Sequence, residues 1–136
     1  MFYKYLISFI LIITPFKTNV YYFNIIYKPI LILELTWDNI IKELKANGIK
    51  HIDVVLKQIK LETGNLKSNV CLNNNNLFGL TYKGERYLTF NHWSESIKCY
   101  KKVQNKMRHN ENYYAFLKRI KYASDNKYIN KLKKIK

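Results

Sequence analysis

One carboxylate stands out by its position. Glu62 closes the stretch Asp53–Thr63, in which Val55, Ile59 and Glu62 recur at helical spacing and share one face. A carboxyl beside valine and isoleucine is partly desolvated, which disfavours its charged form and holds a proton on it near neutral pH. A protonated carboxyl can pass that proton to a leaving oxygen, the step that glycosidic bond cleavage requires. On pattern alone, a helix-terminal glutamate facing water fits at least as well. Two further acids follow. Glu85, beside Gly84, is either a group that activates water or attacks a sugar, or a solvated turn residue. Glu95 falls on the first turn of a helix, where capping and the helix dipole account for it.

Other chemistries find little support. His51, His92 and His109 are far apart in sequence and lack metal-ligand spacing. Cys71 and Cys99 form no CxxC pair. They read as two buried free thiols, or as one disulfide if the chain is exported. No nucleotide-binding glycine loop or nucleophile elbow occurs. No metal and no cofactor are expected.

The elements that must position Glu62 follow from periodicity. Trp37–Asn47 reads as a helix with Thr36 as N-cap and Gly48 as its stop. Asp53–Thr63 reads as a second, capped by Asp53 and ended by Gly64. Residues 65–76 are polar and read as a loop. Leu77–Tyr82 and Arg86–Phe90 flank Lys83-Gly84 and suit a hairpin. A third helix begins near Trp93 with Ser94 as cap, and carries Ile97, Tyr100, Val103 and Met107 on one face. Segments 111–120 and 125–134 complete the set, the last capped by Asp125. The class is mainly α with one small hairpin, within a single domain over residues 36–136.

The first 35 residues differ from the rest. Lys4 precedes the uncharged run 5–16, a signal-peptide pattern too short for an ordinary membrane span. A second apolar stretch, Val20–Leu35, is broken by Lys28 and Pro29. Residues 1–35 are expected to be a signal peptide or membrane anchor, with a buried core helix as the alternative. The net charge of +15 would favour an anionic partner. Yet 21 of the 24 basic residues are lysine, and alanine occurs three times. AT-rich codon usage produces that mixture. No arginine-rich helix, zinc spacing or RNA-binding motif accompanies it, so no nucleic-acid partner is expected.

The run from Leu61 to Leu80 resembles the glucosaminidase family of bacterial peptidoglycan hydrolases (glycoside hydrolase family 73). In that family a helix ends in Leu-Glu-Ser/Thr-Gly, and a loop leads to Asn-Asn-Leu-Phe-Gly-Ile/Leu. Here these are Leu61-Glu62-Thr63-Gly64 and Asn75-Asn76-Leu77-Phe78-Gly79-Leu80. Phe90-Asn91-His92-Trp93-Ser94-Glu95-Ser96-Ile97 is similar to the segment that opens the family's next helix. Tyr122-Ala123-Ser124-Asp125, followed by Tyr128, Lys131 and Leu132, is similar to its closing motif. Together they cover about residues 36–135, in the family's order.

The resemblance implies a fold like the α-lobe of lysozyme, of about five helices. It implies cleavage of the β-1,4 bond from N-acetylglucosamine to N-acetylmuramic acid in peptidoglycan glycan strands. Glu62 would be the general acid, and Tyr122 would stand near the cleaved bond. Asn76 and Phe78 would shape the groove floor beneath the sugars, Trp93 would stack on a sugar or pack, and Glu85 would face the substrate. Many family members carry a longer hairpin with a second acid. If Glu85 takes no part, either the substrate's 2-acetamido group assists, or Glu62 serves as acid and then as base, as in lytic transglycosylases. A monomer is expected, exported and either periplasmic or membrane-anchored facing the wall. The alternatives are a catalytically decayed wall-binding or scaffold protein, and a transglycosylase or muramidase of related fold.

Overall fold

A computed structural model describes residues 33–136. The expected leader lies outside these residues except at its end. There Leu33 and Leu35 pack against the core, so the packed domain begins ahead of the boundary drawn at Leu35–Thr36. The described residues form six helices and one two-stranded antiparallel sheet. This is the expected α-rich class with one helix more. None of these helices is long and apolar enough to cross a membrane.

Helix α1, Trp37–Ala46, starts as its cap predicts: Thr36 is extended and its hydroxyl accepts from the Asn39 N–H. It buries Ile40 and Leu44. Helix α2, Ile52–Thr63, starts differently. The residue before it is His51, in the left-handed region at φ 55° without a side-chain cap, and Asp53 lies in the first turn. There its charge complements the helix dipole without capping. The end of α2 is well made. Gly64 takes φ 55°, and the buried Thr63 hydroxyl donates to the Ile59 carbonyl and accepts from the Leu66 N–H.

The asparagine-rich segment holds an unexpected short helix, α3, Asn69–Asn74, capped by Ser68. The strands are shorter than the sequence suggests: β1 is Thr81–Tyr82 and β2 is Arg86–Tyr87, paired Thr81 with Tyr87 and Tyr82 with Arg86. Leu77 and Phe78 are drawn into the core instead of a ladder. Beyond β2 the returning arm is held by side chains: Asn74 Nδ2 donates to Thr89 Oγ1, and Asn75 Nδ2 to the Phe90 carbonyl.

Helix α4, Trp93–Gln104, is capped by His92, whose ring accepts from the Ser94 N–H, and not by Ser94 itself. Helix α5 is Tyr113–Arg119, capped by Asn112. Helix α6 is Tyr128–Lys134, shorter than the expected 125–134. Asp125 makes a local turn onto the Lys127 N–H instead of capping the helix. Ile40, Leu44, Val55, Ile59, Ile97, Phe116, Leu117 and Leu132 form the dry centre of the core. Helix α2 packs against both α1 and α6, which sets the end of α2 beside the C-terminal segment. Cys71 is buried, Cys99 half-buried, and neither is bonded.

Candidate active site

The last turn of α2 brings Glu62 to the wall of an open cleft of about 860 Å³. That volume lies in the range of ligand sites, roughly 300–1,000 Å³. Phe78 and Gly79 line the same cleft, as do hairpin residues Lys83 and Tyr87 and, from the segment after α5, Tyr122 and Asp125. Residues far apart in sequence therefore meet here because α2, the hairpin and the C-terminal segment converge.

Glu62 is half-buried. Burial raises its carboxyl above the ordinary range, and a hydrogen bond from Tyr128 partly offsets the rise. The approach to it is tight. A Cβ at Gly79 would come within 2.9 Å of Glu62 Oε2, and the Gly79 backbone sits at φ +60°. Both facts favour glycine at this position, since any side chain there would strain the backbone and push the Glu62 carboxyl aside.

The floor is built by Asn76, which is 1 % exposed. Its amide nitrogen donates to the Leu80 and Leu88 carbonyls at 2.8 and 2.9 Å. Its amide oxygen accepts from the N–H groups of Phe78 and Leu80 at 3.3 and 3.0 Å. An amide offers two donors and two lone pairs. All four are used, so Asn76 shapes the groove by fixing backbone and has no capacity left for a sugar. Phe78 stacks on Tyr100 with ring centroids 3.9 Å apart. Its carbonyl accepts from the Tyr122 hydroxyl at 2.8 Å. Burial first, then the neighbouring phenols and Glu62, keep the Tyr122 hydroxyl protonated well above its usual range.

The remaining expected residues fall elsewhere. Trp93 is 3 % exposed and donates its indole N–H to the Leu33 carbonyl at 2.9 Å. It is a core residue and offers no face to a sugar. Glu85 lies on the exposed hairpin turn, its N–H bonded to the Tyr82 carbonyl, and is not part of the cleft lining. The acid that shares the cleft with Glu62 is Asp125, which reads from sequence as a helix cap and as part of the closing motif but not as a cleft acid. Hydrogen bonds, first from Lys131 and then from the Lys127 N–H, hold its carboxyl below the ordinary range.

Behind Glu62 lies a buried polar cluster. Gln58, one turn earlier on α2, is fully buried. Its Oε1 accepts from the Tyr100 and Tyr113 hydroxyls, each at 2.8 Å. Its Nε2 donates to the Tyr128 hydroxyl at 3.5 Å. The cue in the sequence is a glutamine among apolar residues four positions before Glu62. Its partners lie up to 70 positions away, beyond the reach of local pattern. Among the described residues no group of three or more His, Cys, Asp or Glu could hold a metal ion.

The site thus has one half-buried carboxyl, its pKa raised by burial, on an open groove whose floor is fixed backbone. No curated protein and no solved structure matches the sequence. The family model for glucosaminidase, described as mannosyl-glycoprotein endo-beta-N-acetylglucosaminidase, does match, over residues 37–136, and the chain belongs to that family of glycoside hydrolases.

Proposed function

We propose that the protein hydrolyses peptidoglycan at the β-1,4 bond from N-acetylglucosamine to N-acetylmuramic acid, with Glu62 as general acid. The observation that carries this reading is the position of the Glu62 carboxyl, half-buried at the wall of a cleft large enough for sugar rings, where burial favours its protonated form. Glu62 gives its proton to the glycosidic oxygen as the bond to the anomeric carbon breaks. Tyr122 has committed its hydrogen to the Phe78 carbonyl. Only lone pairs remain on its oxygen, which suits the positive charge that develops on the ring.

Asp125 is engaged by the Lys127 N–H at 2.8 Å and by Lys131 Nζ at 2.7 Å. Glu62 is therefore the cleft acid free to move a proton. The 2-acetamido oxygen of the cleaved sugar then attacks the anomeric carbon and forms a cyclic oxazolinium. Glu62, now a carboxylate, takes a proton from the water that opens that ring. Such a wall polymer lies outside the cytoplasmic membrane, where the apolar run 5–16 would direct the chain.

Purified peptidoglycan incubated with the protein, reduced with borohydride and read by mass spectrometry tests this. Fragments ending in reduced N-acetylglucosamine are expected, and none from Glu62→Gln. Reduced muramic acid ends would make it a muramidase, and anhydro ends a lytic transglycosylase. No release by folded protein, on walls that a control enzyme digests, would leave a wall-binding protein.

A further inference from the structure

The hairpin presents two tyrosines, and its pairing register decides where each one turns. Thr81 lies opposite Tyr87, and Tyr82 lies opposite Arg86. Residues opposed across an antiparallel pair share a face, and neighbours along a strand take opposite faces. Thr81 and Tyr87 therefore share one face, Tyr82 and Arg86 the other. The Glu62 cleft is lined by Thr81 and Tyr87, and by neither Tyr82 nor Arg86. The two rings also differ in company. Lys83 Nζ and the Arg86 guanidinium stand over the Tyr82 ring, 5.4 and 5.3 Å from its centroid. Among the described residues no aromatic ring and no cation stands against the ring of Tyr87. Tyr87 is 54 % exposed, so a large flat apolar surface faces the cleft uncovered.

An open aromatic keeps apolar area in water, and a ligand that covers it releases that water. A β-1,4-linked N-acetylated pyranose has the matching shape. Its polar substituents lie equatorially, and axial C–H groups cover both flat faces. Those hydrogens carry partial positive charge and meet the negative face of the aromatic quadrupole. We propose that Tyr87 is the sugar platform of the cleft, on whose ring one pyranose of the glycan strand stacks. The proposal rests on the reading of the substrate as a glycan strand, and deepens it by naming the residue that grips a sugar. Trp93, the aromatic that the sequence offers for this role, is buried. The role passes to the hairpin, whose short strands set one ring into the cleft and one away from it.

Calorimetric binding of peptide-free glycan strands, prepared by amidase treatment of purified peptidoglycan, tests this on the full chain carrying Glu62→Gln, where nothing is cleaved. Tyr87→Leu keeps an apolar side chain but removes the flat ring, and should raise Kd about tenfold. Tyr87→Phe and Tyr87→Trp keep a ring and should hold Kd within about twofold. Tyr82→Leu makes the same change on the other face and should also leave Kd within about twofold, which separates the platform from any general effect on the hairpin. With Glu62 intact, Tyr87→Leu should raise KM on peptidoglycan about tenfold and leave kcat within about twofold, because the platform grips substrate and transition state alike. Equal effects of Tyr87→Leu and Tyr82→Leu overturn the proposal, as does a Tyr87→Phe that binds as poorly as Tyr87→Leu. Weakened binding of the released stem peptides with glycan binding unchanged overturns it too, and so does a Glu62→Gln protein that binds no glycan strand. A wild type that binds these strands through Tyr87 and cleaves none would sink the hydrolase reading and leave the platform standing.

Discussion

At the scale of single residues, Glu62 carries a cost that can be measured. Its folded-state pKa is raised by burial, so the folded protein binds its proton more tightly than the unfolded chain does. The stability this contributes is fully present below the unfolded value of 4.5 and is lost as pH rises through the folded value. Glu62→Gln removes the ionisation and keeps an oxygen for Tyr128. The variant should match wild type in thermal midpoint near pH 4 and exceed it near pH 8. Equal midpoints at both pH values would show that Glu62 ionises without strain. Glu62 was legible in the sequence because a carboxyl interrupts an apolar helical face within a recognisable motif. Phe78 and Tyr122 were legible through motif order. Trp93 was not, because an aromatic at the start of a helix reads the same whether it turns inward or outward. Gln58 and Tyr128 were not, because their meaning depends on a contact between distant segments.

At the scale of elements, the site depends on how a very short hairpin is held. Two residues per strand cannot fix a groove wall by ladder bonds alone. Asn76 supplies the missing bonds, joining the Phe78–Leu80 backbone to Leu88 across the hairpin. Asn76→Ala leaves several buried backbone groups without this partner, at a cost of about 2–4 kcal/mol. Urea unfolding should show that loss, and amide exchange should quicken first at Phe78 and Leu80 while α1 and α4 keep their protection. Uniform loss of protection would mean that the hairpin is no separate unit. The long helices were readable because their apolar spacing runs over several turns. Helix α3 was hidden, since six residues rich in asparagine lie below the length at which local preference decides. The strands were overread because Leu77 and Phe78 satisfy a strand pattern and a core position equally well.

At the scale of the whole molecule, the charge acquires a location. AT-rich codon usage would account for the abundance of lysine, but folding decides where it lies. Lys83, Lys106 and Lys121 line the Glu62 cleft, while its other acid, Asp125, is held by Lys131 at 2.7 Å. A groove lined by one sign of charge concentrates a ligand of the other sign, and added salt screens the attraction over about 10 Å at 0.1 M. If the substrate is peptidoglycan, as proposed, it carries carboxylates on its stem peptides and on those muramic acids that lack a peptide, so these lysines should act on substrate capture and not on bond cleavage. Walls whose carboxylates are converted to methylamides should show a KM raised several-fold at low salt, on the order of tenfold at most, with kcat unchanged. The combined change of Lys83, Lys106 and Lys121 to Gln should abolish the difference between blocked and untreated walls. Equivalent changes at Lys42, Lys45 and Lys134, which lie outside the cleft lining, should leave it in place. If the remote set matters as much as the cleft set, the field of the whole molecule draws in the wall and the groove itself is indifferent to charge. If neither set matters, the lysines are a product of base composition alone.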